Sequence, residues 1–170
     1  MVQQKSQTFK YGEPLDHMMA VEKVFDFLRT NQEKYFIDVA IPITYPPQIM
    51  KQLPKTRTHN GHTFDLGIYT PIKDELGVVV DLKILAYIEI NGNVGYKYID
   101  GAGRTQKANP TKHSKALQKR NDKINKNYCE NLGIKYITLL KEEINGDIKD
   151  KDKEKNTIQY MQRELLEFIK

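Results

Sequence analysis

The chain contains one cysteine, no tryptophan and no long apolar run. A single thiol, Cys129, excludes an internal disulfide framework and a cysteine-rich zinc site, and it is typical of a reducing compartment. No stretch approaches the roughly 18 apolar residues that a membrane-spanning helix needs. Residues 1–10 are polar and lack the apolar centre of a signal peptide. These absences predict a cytoplasmic, intracellular protein with no membrane partner.

The remaining composition predicts one globular domain with a basic surface. The chain has 170 residues, a length that suits a single domain spanning 1–170. Ten tyrosines and six phenylalanines supply the aromatic bulk that tryptophan does not. Lys and Arg outnumber Asp and Glu by 27 to 22, a net charge of +5, which favours a polyanionic partner only if the charge is concentrated.

Hydrophobic periodicity predicts an α/β fold with a central mixed sheet flanked by helices. Residues 1–12 are expected to be flexible, and 147–170 to form a charged linker (147–155) and a C-terminal helix (158–169). The remaining segments comprise predicted helices (14–30 and 111–132), predicted strands (35–43, 62–69, 78–91 and 134–140) and two loops (44–61 and 92–110, the second beginning with a short hairpin). Gly133 is the expected C-cap of the long helix.

Two acids on neighbouring predicted strands form the first candidate site. Asp65 lies within 62–69, and Glu89 lies near the end of 78–91 in an otherwise apolar sequence. A charge among apolar neighbours is unfavourable unless it is paired or binds a metal ion. Two carboxylates facing one cleft can hold a divalent cation through oxygen ligands, and such an ion can activate water for attack on a phosphodiester.

A different strand register would create a rival site. Strict alternation in 78–91 places Asp81 and Lys83 on the same face as Glu89. A tight turn centred near Asp74 would bring Asp65 close to Asp81 and Lys83, whereas a bulge or an inserted turn near Gly77 would bring it to Glu89. The residues alone leave this register open.

A basic segment follows the acidic strands. The only acid between residues 104 and 126 is Asp122. A basic loop leading into a basic helix is suited to binding a phosphate backbone. The basic residues here, with His113 as a further phosphate contact or proton-transfer group, are Arg104, Lys107, Lys112, Lys115, Lys119, Arg120, Lys123 and Lys126. A separate pair, His59 and His62, could contribute to a zinc site, but no third ligand is evident.

Two further patterns resemble the PD-(D/E)XK nuclease superfamily, and in particular its very-short-patch-repair and phage homing-type branch. The first is Glu89-Ile90-Asn91-Gly92, which is similar to the acid-x-polar-Gly step that ends the central strand. The second is the run 120–139, which is similar to the branch's Arg/Lys-Asp helix, Gly and strand. The resemblance covers about residues 62–140.

The resemblance implies a restriction-endonuclease-like αβββαβ core that binds Mg²⁺ or Mn²⁺. It implies Asp65 and Glu89 as metal ligands, with the Ile90 carbonyl as a third, and it favours Glu89 over Asp81. Asn91 stands where the family usually has lysine, so Lys123, Lys119 or Lys97 would supply the positive charge. Glu22 would be an accessory acid. The resemblance further implies a DNA substrate, a homodimer and a viral or mobile-element origin.

The sequence therefore predicts a metal-dependent endodeoxyribonuclease whose catalytic residues are Asp65, Glu89, Asn91 and Lys123. One rival is a structure-specific, junction-resolving nuclease. A second rival, suggested by Asn91, is a non-catalytic nucleic-acid-binding protein on a decayed nuclease fold. A protein-binding adaptor is a third.

Overall fold

The computed structural model describes residues 15–52, 61–92, 97–99, 104–107, 112–146 and 151–170. Its helices are α1 (Leu15–Asn31), α2 (Pro47–Met50), α3 (Lys112–Asn131), α4 (Lys141–Ile144), α5 (Lys151–Glu164) and α6 (Leu166–Ile169). Its strands are β1 (Phe36–Thr44), β2 (Gly61–Lys73), β3 (Val79–Asn91), β4 (Lys97–Ile99), β5 (Thr105–Lys107) and β6 (Lys135–Leu140). No described helix is long and apolar enough to cross a membrane.

The predicted α/β fold is confirmed. The main sheet has the strand order β1-β2-β3-β6, with β1–β2 and β2–β3 antiparallel and β3–β6 parallel. The long helix α3 connects the two parallel strands, as a parallel pair requires. Gly133 ends this helix with a φ of 71°, and the N–H of Ile134 donates to the carbonyl of Cys129 (2.8 Å), which confirms the predicted C-cap.

Two apolar layers cover the sheet. On one face, α1 and α5 contribute Val24, Leu28 and Met161 to a core shared with Leu66 and Ile88. On the other face, α3 and the loop before β6 contribute Cys129 and Ile134, which pack with Ile41, Phe64 and Tyr87.

Several predicted boundaries are wrong. The last long helix begins at Lys151 rather than 158, so it includes most of the charged run that was expected to be a linker. Strand β2 continues to Lys73, which places Pro71 inside a strand rather than in the turn. The predicted flexible segment 1–12 lies outside the described residues.

Near Asp65, the side chains of β1 and β2 that pointed into one apolar layer begin to point into the other. Ile37 packs with the α1 layer but Ile41 packs with the α3 layer, although their positions have the same parity. Leu66 and Phe64 differ in the same way. The β1–β2 pairing passes from Val39↔Leu66 to Ile41↔Phe64 and omits Ala40, whose φ is 53°. A left-handed residue in β1 therefore reorients both strands next to Asp65.

Substitution of Ala40 tests the importance of this backbone conformation. The Ala40 side chain is exposed, so a larger one loses no packing there. The left-handed region costs an L-residue roughly 1–2 kcal/mol and is least compatible with β-branched side chains. We expect Ala40→Val to lower the free energy of unfolding by about 1 kcal/mol or more, and Ala40→Gly to maintain or raise it, in chemical denaturation. Equal stability of the two variants would contradict this.

Candidate active site

Two bulges in β3 determine which residue faces Asp65. Beyond the turn, Lys73 pairs with Val79, and register shifts follow at Ile72/Lys73 and Ile68/Tyr69. Each shift adds one residue to β3, so the last pair of the ladder is Leu66↔Ile88. The next residue is Asp65 on β2 and Glu89 on β3. Without the bulges, the same turn would place Tyr87 opposite Asp65.

The same bulges place the rival pair elsewhere. Asp81 and Lys83 pair with Ile72 and Thr70, far along the hairpin from Asp65, and both are exposed. The expectation that they share a face with Glu89 is wrong, because the bulge at Leu85 breaks the alternation. Ile84 packs with the layer of Tyr87, and Leu85 packs with the opposite layer.

The predicted face of β3 is also wrong for its first half. Val80 is 61% exposed and Leu82 is 43% exposed, so neither belongs to a core.

The sheet divides at the two acids. Pairing of β2 with β3 reaches Leu66↔Ile88, whereas β3 pairs with β6 up to Asn91↔Leu140 and β1 with β2 up to Thr44↔Gly61. Where the β2–β3 ladder ends, the N–H of Ile90 donates to Oδ2 of Asp65 at 2.8 Å. The side chain thus occupies the place of a neighbouring strand's carbonyl, and Asp65 and Glu89 lie where the two strands separate.

A histidine contacts each of the two acids. Nε2 of His17 lies 2.9 Å from Oδ1 of Asp65, and Nε2 of His62 lies 2.5 Å from Oε1 of Glu89. His17 comes from α1 and His62 from the start of β2. The two carboxyl groups are close enough for the negative charge of Asp65 to raise the pKa of Glu89. The cluster therefore combines groups from a helix and two strands.

A third carboxyl group approaches from α3. Oδ2 of Asp122 accepts a hydrogen bond from the Asn91 amide at 3.2 Å, and its Oδ1 accepts one from the Tyr136 hydroxyl at 3.4 Å. Burial raises the pKa of Asp122, and these two hydrogen bonds oppose that rise. Asn91 therefore positions Asp122 beside the cluster.

The ionised form of Glu89 is strongly disfavoured in this cluster. It is 9% exposed, and burial, followed by the negative charges of Asp65 and Asp122, raises its pKa from 4.5 to about 9. A carboxyl group in this position is stabilised by a proton, or by a cation that offsets the negative charges.

The predicted nucleic-acid-binding residues are only partly described. Lys119, Arg120 and Lys123 are exposed on α3, one turn or less from Asp122. Arg120 donates to the carbonyl of Gln52 at 2.7 Å, which ties the helix to the segment after α2. Arg104 is exposed just before β5. The side chains of Lys97, Lys107, Lys112, His113 and Lys115 lie outside the described part of the structure, as does His59.

Glu22 and Lys123 do not contact the acids. Glu22 is exposed on α1, and it is His17 of the same helix that reaches Asp65. Lys123 is exposed, and within the described residues no contact joins it to Asp65 or Glu89.

Several site residues could have been found in the sequence. His17 lies on the same helical stripe as Ala20, Val24 and Leu28, which marked it as facing inward. Asp122 was noticeable as the single acid of a basic segment. The contact between His62 and Glu89 had no local signal, because it depends on pairing between strands.

The acids present suit an ion that takes few ligands from the protein, such as Mg²⁺, better than an ion whose ligands all come from protein side chains. Among the residues that the structure describes, no three His, Cys, Asp or Glu side chains form a group that could hold a metal ion. Mg²⁺ is commonly held by one or two carboxylates, with water and substrate phosphate completing its six ligands. Asp65 and Glu89, which lie where the β2–β3 pairing ends, match that requirement.

No family model, curated protein or solved structure matches this chain. The resemblance to the PD-(D/E)XK nucleases therefore remains a prediction.

The raised pKa of Glu89 predicts that metal-free protein loses stability as the pH rises. Between about pH 4.5 and pH 9, the folded chain retains a proton that the unfolded chain has released, so stability falls with increasing pH across that interval. Glu89→Gln removes this titration. We expect the variant to be more stable than the wild type near pH 8 by about 1 kcal/mol or more, with a smaller difference near pH 5.

Thermal and urea unfolding in the presence of a chelator measure both proteins. Glu33→Gln, at an exposed position beyond α1, is the control for losing one acid and should follow the wild type. A variant at Glu89 with the pH dependence of the wild type would contradict the assignment.

Proposed function

We propose that the protein is a divalent-metal-dependent endonuclease that hydrolyses DNA phosphodiester bonds. The observation that carries the proposal is the placement of two carboxyl groups, Asp65 and Glu89, where the sheet divides, with Asp122 close enough for its charge to act on Glu89. The raised pKa of Glu89 supports it, because a divalent cation would relieve the repulsion that disfavours the charged form.

The residues have separable roles in this proposal. Asp65, held in place by the N–H of Ile90, and Glu89 would hold the ion. A bound divalent cation supplies an activated water and stabilises the charge that develops on the phosphoryl group. His62 and His17 orient the two carboxylates. Asn91 and Tyr136 hold Asp122 next to them.

The exposed face of α3 supports a polyanionic substrate. Lys119 and Lys123 are four residues apart, so they lie on the same side of the helix, and both are exposed close to Asp122. Negative carboxyl groups repel a phosphate backbone, and these lysines would compensate by binding it beside the acids.

Cleavage assays test the catalytic half of the proposal. With Mg²⁺ or Mn²⁺, we expect the wild type to cut linear, supercoiled or branched DNA. Asp65→Asn and Glu89→Gln should each reduce the rate by about 100-fold or more, since each removes an ion ligand. Asp81→Asn should cut at more than half the wild-type rate, which distinguishes the rival pair.

Glu33→Gln, an exposed acid far along the chain from the cluster, is the matched control. Cleavage confined to branched DNA would select the junction-resolving form of the proposal, and RNA substrates in parallel assays would show the preferred nucleic acid. If no substrate is cut with either ion, the proposal is wrong.

Binding measurements test the α3 surface separately. Lys119→Ala combined with Lys123→Ala should weaken DNA binding and lower the slope of log affinity against log salt by about 2, because two phosphate contacts are lost. Arg120 is left intact because it holds the segment after α2. Lys34→Ala combined with Lys170→Ala, both exposed and outside α2 and α3, is the control, and an equal loss there would contradict a localised interface.

A second candidate is a non-catalytic nucleic-acid-binding protein. It is favoured by Asn91, which occupies the position of the usual lysine and donates its amide to Asp122. Salt-sensitive DNA binding that needs no metal and survives Asp65→Asn and Glu89→Gln, with no cleavage, would select it.

A further inference from the structure

The far half of the β2–β3 hairpin, residues 70–84, extends beyond the rest of the sheet and is called the arm here. β1 pairs with β2 no further than Tyr69, and β6 pairs with β3 only from Ala86. The two strands of the arm therefore pair with each other, and their outer edges have no partner among the described strands. The arm carries six exposed large apolar residues, Ile72, Leu76, Val78, Val79, Val80 and Leu82.

Unpaired strand edges together with many exposed apolar side chains are unusual on a protein surface that contacts only water. A two-stranded ribbon is marginally stable in water without a further packing partner. An exposed apolar edge strand also offers its backbone groups to another strand. Half of the twelve exposed large apolar side chains in the described residues lie in this one hairpin, so the arm is an apolar patch of the kind that marks an interaction surface.

The pairing of Leu82 with a proline determines where the backbone N–H and C=O of Leu82 point. Leu82 pairs with Pro71, which has no N–H to donate. The N–H and C=O of Leu82 therefore point away from β2, to the outer edge. Consistent with this, the N–H of Leu82 donates to Oδ1 of its neighbour Asp81 at 2.7 Å.

The charges on this edge are complementary to themselves. If two copies pair antiparallel about a two-fold axis at Leu82, each Asp81 lies opposite the Lys83 of the other copy. Directly opposite residues point to the same face, and opposite charges there are favourable. At the axis, the N–H of each Leu82 would exchange its bond to Asp81 for the Leu82 carbonyl of the other copy, which leaves the Asp81 carboxylate to face Lys83.

We infer that the arm is a self-association surface on which two copies of this chain join their β3 edges in a symmetric pair centred on Leu82. Nucleic acid is a poor occupant because the arm has three acids and two lysines, namely Asp74, Glu75, Asp81, Lys73 and Lys83. The inference does not depend on nuclease activity, because its readout is the oligomeric state. It assigns a surface to the homodimer that the family resemblance implies.

Charge reversal tests the pairing. Asp81→Lys places lysine opposite lysine twice, and Lys83→Asp places acid opposite acid twice, so each should raise the dimer Kd by about tenfold or more. A mixture of the two single variants restores both opposite-charge contacts. We therefore expect neither variant to dimerise alone at concentrations where the wild type does, and the equimolar mixture to form a heterodimer.

Sedimentation equilibrium of the full chain up to about 1 mM measures this, a range suited to a small interface. The double variant Asp81→Lys/Lys83→Asp should dimerise like the wild type, and Glu33→Lys, an exposed charge reversal elsewhere, should change nothing. A monomeric wild type at all concentrations, single variants that dimerise as well as the wild type, or a mixture that stays monomeric would each overturn the inference.

Discussion

The hydrogen bond from the N–H of Ile90 to the carboxylate of Asp65 is the contact on which the site depends. It takes up a backbone donor at the point where β2 and β3 stop pairing, so the sheet can divide without leaving that group unsatisfied. It also fixes Asp65 against Glu89. The division of the sheet and the pairing of the acids are therefore two results of one contact.

The cluster requires compensating charge from several sides. A carboxyl group as buried as Glu89 is stable only when hydrogen bonds or positive charge offset its desolvation. His62 contacts Glu89, His17 contacts Asp65, and Asn91 with Tyr136 hold Asp122. These contacts explain how three acids can lie together in the folded chain. Lys119 and Lys123 of α3 take no part in these contacts and are exposed.

The sequence was sufficient for the fold because its main signals are local. Helical spacing, a glycine at the end of α3 and β-branched segments indicated the strand and helix order that the structure shows. The register of the hairpin could not be read, because two bulges in β3 decide it and bulges leave no clear mark in a sequence. The same bulges explain why Asp81 and Lys83 are separated from Glu89. The partners of the acids, His17 and His62, required contacts between distant segments.

The length of β3 between Leu82 and Glu89 has a consequence for geometry. The two residues are seven positions apart, which corresponds to about 23 Å of extended chain. A symmetric pair joined at Leu82 would hold its two Glu89 residues on the order of 45 Å apart, further than one turn of a DNA duplex, which is roughly 34–36 Å. Two centres at that spacing could not act on neighbouring phosphates across one groove. If the proposed nuclease activity holds, such a pair would place its two cuts more than one helical turn apart.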